Sequence, residues 1–274
     1  MVRAGHHPHA GNDEPRKSVG TAYLAYSGRL LAEVADALGK SDDAANYRDT
    51  AANAVKAYRA AFTENGVIHS DRQCEYVRAI AFALLGEEES KAAAETLNRM
   101  VAENDYHLNT GFLSTPFLCD VLAKYGYADT AYKLLLQPDA PGWLYEVRCG
   151  ATTMWERWDS VRPDGSFDES GMNSFNHYAF GAVGDWLLEQ LVGIRPAEPG
   201  YRAITLQPQL IQGITQACAL RTTPYGRVRL AWQCLNHLIT VEVEIPANTT
   251  AQLFLPEQED LGTMLSRLRE QRYG

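Results

Sequence analysis

The stretch "SVGTAYLAYSGRLLAEVADALGKSDDAANYRDTAANAVKAYRAAF", residues 18–62, decides the fold class. Its first half sets Tyr23, Tyr26, Leu30, Leu31, Val34 and Leu38 at three- and four-residue intervals, the period of a helix with one buried face, and Gly39 is a helix stop. Ser41 then reads as an N-cap, with Asp42 and Asp43 in the first turn, where negative charge offsets the helix dipole. Tyr47, Ala51, Val55, Tyr58 and Phe62 continue the period. Two amphipathic helices separated by a glycine turn predict a helical hairpin.

The pattern repeats downstream. "DRQCEYVRAIAFALLG" is followed by "EEESKAAAETLNRMVAEN", and "LSTPFLCDVLAKYG" by "YADTAYKLLLQ". Each pair joins a more apolar helix to a more charged one, so two layers are expected, an inner buried set and an outer set facing solvent on one side. About four hairpins can be read in this way. A closed helical toroid and an open helical array both remain compatible with them. After Gly193 the period changes to two. Val241, Val243 and Ile245 alternate with Glu242 and Glu244, and "TPYG" and "PANTT" punctuate the run, as in strands of a small antiparallel β-sandwich. "IRPAEPGY" is expected to be the linker, because its prolines cannot continue a helix. The predicted organisation is therefore a disordered or non-native leader over 1–17, a helical part over 18–195, a β-sandwich over 196–256 and a helical tail over 257–274.

Composition bounds the function. Of 274 residues, 46% are hydrophobic and 22% charged, which suits a globular chain, and a net charge of −9 opposes binding to nucleic acid or anionic membrane. No apolar run approaches the roughly 18 residues of a membrane span, and no secretory signal is visible. The five cysteines lack a CxxC pair and read as reduced thiols of a cytoplasmic protein. His6, His7 and His9 in the leader read either as a metal-binding cluster or as a frayed terminus. No cofactor or metal is expected.

Chemistry concentrates in "GATTMWERWDSVRPDGSFDESGMNSFNHYAFGAVGDWL", residues 150–187. Glu156 lies between Trp155 and Arg157, with Trp158 and Asp159 next. An apolar wall beside a carboxylate can tune it as a general acid or base, whereas a plain ion pair, of Glu156 with Arg157 or of Asp159 with Arg157, is the bland alternative. Asp164, Asp168 and Glu169 crowd one loop. They lack EF-hand spacing, and solvated turn acids compete there with a calcium site. A helix is expected to open at Asn173 or Ser174, with Asn176 and His177 in its first turn and its free N–H groups near a polar ligand. On a toroid of hairpins, Thr110, Trp143, Glu156, Asn173 and His177 would line one mouth. Aromatic platforms with hydrogen-bonding rims suit sugars.

The blocks "TTMWERWD" and "MNSFNHYAFGAVGDWL", with "HLNTGFLSTPFL", "EPGYRAITLQPQL" and "TPYGRVRLAW", closely resemble the bacterial α-L-rhamnosidases of glycoside hydrolase family 78. The resemblance runs from about Ser18 to Pro256. It implies an (α/α)6 barrel followed by a β-sandwich, and inverting hydrolysis of terminal α-L-rhamnose from rhamnose-containing glycosides. In that chemistry two carboxyl groups stand roughly 6.5–9.5 Å apart, one protonating the leaving oxygen and one activating water. The resemblance makes Glu156 the general base and His177 a sugar contact; Trp143, Trp155, Trp158, Asn173 and Thr110 are expected around the substrate. The family's acid-bearing stretch has no counterpart here, so the expected barrel is incomplete, truncated without the general acid and lacking an N-terminal half. Loss of acid assistance typically costs about 100- to 10,000-fold. The alternatives are an inactive rhamnoside-binding remnant and a helical interaction scaffold that associates with a missing half or with a second copy of itself.

Overall fold

The computed structural model describes residues 13–169, 171–211, 213–235 and 238–255. The histidine cluster and the expected C-terminal helix lie outside them. By its contacts the chain divides into two compact units, residues 1–180 and 181–274.

The first unit is built from α1 (Asp13–Ala37), α2 (Ser41–Phe62), α3 (Gln73–Ala81), α4 (Glu87–Glu103), α5 (Thr115–Lys124), α6 (Ala128–Leu135) and the short α7 (Trp143–Arg148). The last five residues of the expected leader are thus helical. α1 packs on α2, α3 on α4 and α5 on α6, and α3 also packs on α5. Three hairpins form among the described residues, fewer than the four expected, because no helix follows α7 until Ala179. The two-layer expectation holds for α3 and α4. All eight residues from Gln73 to Ile80 are buried, whereas α4 keeps Glu87, Glu88 and Glu95 in solvent.

α1 corrects the reading of its buried face. Ala22, Ala25, Ala32 and Ala35 are buried, whereas Leu30, Leu31, Val34 and Leu38 are exposed, Leu38 to 66%. The reason is close approach. A Cβ on Gly28 would lie 3.1 Å from Ala51 Cβ and 3.2 Å from the Tyr47 carbonyl, so α2 fits against the small-residue stripe and the leucines are left on the other side. Both stripes recur every three or four residues, and periodicity alone cannot choose between them. Tyr26 does turn inward and stacks on Phe82, with ring centroids 4.4 Å apart. Ser41 is likewise the first helical residue and not the cap; Lys40 occupies that place without a side-chain capping bond. The hairpins are tied by Glu89, whose carboxylate takes two bonds from Arg59, at 2.5 and 2.6 Å, and the Gly86 N–H at 2.7 Å. Those donors hold its carboxyl far down, at about 2.

The second unit opens with a helical segment, α8 (Val183–Trp186), that widens into a π-wound turn over Leu187–Val192. Gly193, at φ +92°, ends it and leads into β1 (Ile194–Pro196), which replaces part of the expected linker. β1 pairs antiparallel with β2 (Ala203–Leu206), which pairs parallel with β6 (Thr250–Leu253), so this sheet is mixed. The other sheet, β3 (Gln216–Thr223), β4 (Gly226–Leu235) and β5 (Leu238–Glu244), is antiparallel throughout. Val192, Ile194, Tyr201, Ile204, Leu206, Val228 and Leu230 form the core, with Ala217, Ala219 and Val241 packed against it. The "TPYG" turn forms as expected, Tyr225 N–H donating to Thr223 Oγ1 at 3.2 Å.

Candidate active site

From Gly150 to Tyr178 the chain has no helix, and its shape is set by what ties it down. The expected helix start at Asn173 is absent; the first helical turn is the 3₁₀ turn Ala179–Ala182. The segment 174–177 instead lies along 153–156. Glu156 N–H donates to the Ser174 carbonyl at 2.8 Å, and His177 N–H to the Met154 carbonyl at 2.9 Å. Thr153 Oγ1 donates to the Phe175 carbonyl. This ladder sets the segments that carry Glu156 and His177 side by side, although the two residues are 21 positions apart in the sequence.

The Glu156 side chain closes the ladder, Oε2 accepting the Ser174 N–H at 2.8 Å. Of the two ion pairs expected as alternatives, the one between Asp159 and Arg157 forms, and Glu156 takes part in neither. Arg157 pairs with Asp159 at 3.4 Å and with Asp168 at 3.5 Å. Asp168 also meets Arg162 at 3.4 Å, and Asp164 accepts the Ser166 N–H at 2.9 Å. Asp168 is therefore engaged with arginines and Asp164 with a turn, and no group of three or more His, Cys, Asp or Glu side chains placed to hold a metal occurs among the described residues.

Aromatic rings surround this ladder. His177 stacks on Phe112, with centroids 4.4 Å apart and planes 19° apart, and lies parallel to the exposed Tyr178. Phe112 contacts Phe180 at 5.0 Å, Phe180 stacks on Trp158 at 3.9 Å, and Trp158 meets Trp143 edge-on at 5.3 Å. Trp155 meets Phe175 edge-on at 5.6 Å. Trp143 and Trp155 are buried, at 6% and 4% exposure, so they stand behind the surface, whereas Trp158, Glu156 and His177 are half-buried.

Thr110 and Asn173 are turned to local bracing. Thr110 Oγ1 bonds Thr115 Oγ1 at the start of α5, 2.8 Å away. Asn173 Nδ2 reaches the Ser160 and Asp168 carbonyls, both at 3.3 Å. Phe112, which touches His177, was missed in the sequence, and so was Gln73, which receives the Asn109 N–H at 2.7 Å and so fixes the loop that carries Phe112.

Glu146 was also missed. On α7 it lies one turn from Trp143, both are buried, and Glu146 Oε2 accepts the Trp155 N–H at 3.3 Å. Burial pushes its carboxyl up to about 7 against the opposing pull of that N–H. A lone acid on the buried face of an aromatic helix was the available signal.

Helical hairpins, a loop region that carries a carboxylate, a histidine and an indole cluster, and a β unit after them define a helical-hairpin protein with a C-terminal β unit. Comparison with known proteins gives the family. The bacterial alpha-L-rhamnosidase 6 hairpin glycosidase domain matches residues 5–191, and the bacterial alpha-L-rhamnosidase C-terminal domain matches residues 193–267. The chain belongs to the bacterial α-L-rhamnosidase family. An alpha-L-rhamnosidase of Formosa agariphila is 40% identical over 255 residues, covering 91% of this chain and 28% of that protein. One from Streptomyces avermitilis is 40% identical over 246 residues, 89% of this chain and 24% of that protein. The crystal structure of the Streptomyces avermitilis enzyme complexed with L-rhamnose superposes with a TM-score of 0.84 at 40% identity, over 88% of this chain and 23% of that one. Native alfa-L-rhamnosidase from Aspergillus terreus gives 0.82 at 38% identity, over 86% and 28%. The chain spans about a quarter of the length of the relatives it matches. Among the described residues no helix is long and apolar enough to cross a membrane.

Proposed function

We propose that this chain carries the general-base half of an inverting α-L-rhamnosidase site, with Glu156 as the base that activates water and His177 as a contact to the sugar. The observation that carries the reading is the Glu156–Ser174 ladder. It fixes Oε2 and leaves Oε1 with no protein partner among the described residues, at the side chain best placed to take a proton from water. Phe112, His177 and Tyr178 form a run of ring contacts and Trp158 stacks on Phe180, and aromatic rings of this kind suit the C–H faces of a pyranose. Trp143, Trp155, Asn173 and Thr110 support that surface from behind. The substrate class is a terminal α-L-rhamnoside, supported by the relative solved with L-rhamnose. No residue of this chain is assigned as the acid.

Calorimetric titration with L-rhamnose, paired with release of nitrophenol from an aryl α-L-rhamnoside, tests the reading. Millimolar binding that survives Glu156→Gln, with any turnover abolished by it, is the expected result. Absence of heat in the unmodified chain would remove the reading.

The exposed Leu24, Leu31 and Val34 of α1, with Leu38 just beyond its end, favour a second, compatible reading, in which this face packs on a further helical partner, either a separate N-terminal half or a second copy. Sizing chromatography distinguishes these from a stable monomer. The buried free thiols Cys74, Cys119 and Cys234 support a reducing, cytoplasmic setting.

A further inference from the structure

Three side chains of α7 each hold a different part of the loop region. Trp143 Nε1 donates to the Phe180 carbonyl at 3.0 Å, Tyr145 Oη to the Val161 carbonyl at 2.7 Å, and Glu146 Oε2 accepts the Trp155 N–H. The first two are ordinary braces. Glu146 differs because it is only 3% exposed and its other oxygen, Oε1, is buried without a partner among the described residues. Burying a carboxyl with one of its two oxygens unsatisfied is costly, and an apolar side chain of similar volume would fill the space more cheaply.

Its one partner shows what the carboxyl does there. Trp155 directly precedes Glu156, so the peptide before the Trp155 Cα is held by Glu146 and the peptide after it by Ser174. A shift of the first tie moves the second. We propose that Glu146 is a positioning residue: through the Trp155 amide it sets the placement of the Glu156 carboxylate, and the tie tightens when Glu146 loses its proton. The direction follows from hydrogen-bond strength, since an ionised acceptor binds an N–H about twice as strongly as a neutral one. The importance of this placement for chemistry rests on reading Glu156 as the base.

The surrounding charges leave Glu146 to respond to its own proton. On α7, Arg148 reaches away to the Pro138 carbonyl and lies 3.7 Å from Asp139. On the adjoining loop, Arg157, Asp159, Arg162 and Asp168 form their own ion-pair cluster, and the His177 ring lies against Phe112. What acts on Glu146 is burial, which raises its pKa to about 7, and the Trp155 N–H, which lowers it. The group therefore exchanges its proton in the neutral range.

The test follows the backbone amide resonances of Trp155 and Ser174 in the full chain, from a unit below to a unit above about pH 7. Both should shift with one midpoint near 7 in the unmodified protein, and both should lose that step in Glu146→Gln, which keeps an acceptor and the volume but cannot ionise. Glu146→Asp should keep a step of smaller amplitude, and it serves as the readout should the Gln variant not fold. L-Rhamnose affinity should change about threefold to tenfold across the same range in the unmodified chain and stay flat in Glu146→Gln. A Trp155 step without a Ser174 step, or a Ser174 step that persists in Glu146→Gln, overturns the proposal. If the unmodified chain binds no rhamnose, the base reading of Glu156 falls while the two amides still decide the role of Glu146.

Discussion

Glu156 and Ser174 exchange hydrogen bonds in both directions: the Glu156 N–H reaches the Ser174 carbonyl at 2.8 Å, and the Ser174 N–H reaches Glu156 Oε2 at 2.8 Å. One residue thus supplies a main-chain link and a carboxylate to the same partner. The loop 150–178 has no helix to rigidify it, and this exchange is what aligns its two halves. Glu156→Gln preserves an acceptor for the Ser174 N–H and should leave the melting temperature nearly unchanged. Glu156→Ala removes it and should cost about 1 kcal/mol of stability as well. Thermal melts of the two variants side by side check this, and equal loss in both would contradict it.

The Phe112–His177 stack predicts a binding effect that reaches across the sequence. Ring pairs of this kind are worth about 0.5–1.5 kcal/mol beyond their burial. Phe112→Ala should therefore weaken L-rhamnose binding by about threefold to tenfold while Phe112→Tyr retains it, both read by calorimetry. Unchanged affinity in the alanine variant would show that the ring does not orient His177 for the sugar.

Glu146 makes stability pH-dependent with a definite sign. Its folded pKa, about 7, lies above the value of about 4.3 for an unfolded glutamate. The folded state then binds the extra proton, so the contribution is fully present below the unfolded pKa and is lost as pH rises through about 7. At about 1.4 kcal/mol per unit, the loss is on the order of 4 kcal/mol. The difference in unfolding free energy between the unmodified chain and Glu146→Gln should follow that slope in denaturant titrations. A pH-independent difference would refute it.

Gly193 carries a prediction for the second unit. At φ +92° an added Cβ would lie 2.2 Å from the Gln207 carbonyl carbon, in backbone that cannot move aside cheaply. The Gln207 N–H also donates to the Gly193 carbonyl at 2.8 Å. Gly193→Ala should destabilise this unit by about 1–3 kcal/mol or more, seen as an earlier melting transition, whereas Gly20→Ala, with nothing within 4 Å, should not.

The helical hairpins were legible because each element carries its own period and turn. α3 to α6 fall where apolar and charged helices alternate, and "TPYG" makes its turn, since these depend on residues three or four positions apart. The loop 150–178 was legible in content but not in shape. Asn173 and Ser174 look like a helix start, yet the ladder to 153–156 provides partners for the same backbone groups, and the helix does not begin until Ala179.

By itself the sequence determined the class of fold, the family blocks around "TTMWERWD" and "MNSFNHYAF", and the identity of Glu156 and His177 as the groups to examine. Those properties are local or reside in residue identity. Tertiary structure decided which stripe of α1 is buried, since the alanines and the leucines share one period and only the approach of α2 at Gly28 separates them. It also decided that Phe112 lies against His177 and that Glu146 grips Trp155. Neither pairing leaves a trace in spacing, because contacts between distant segments depend on how the chain returns to itself.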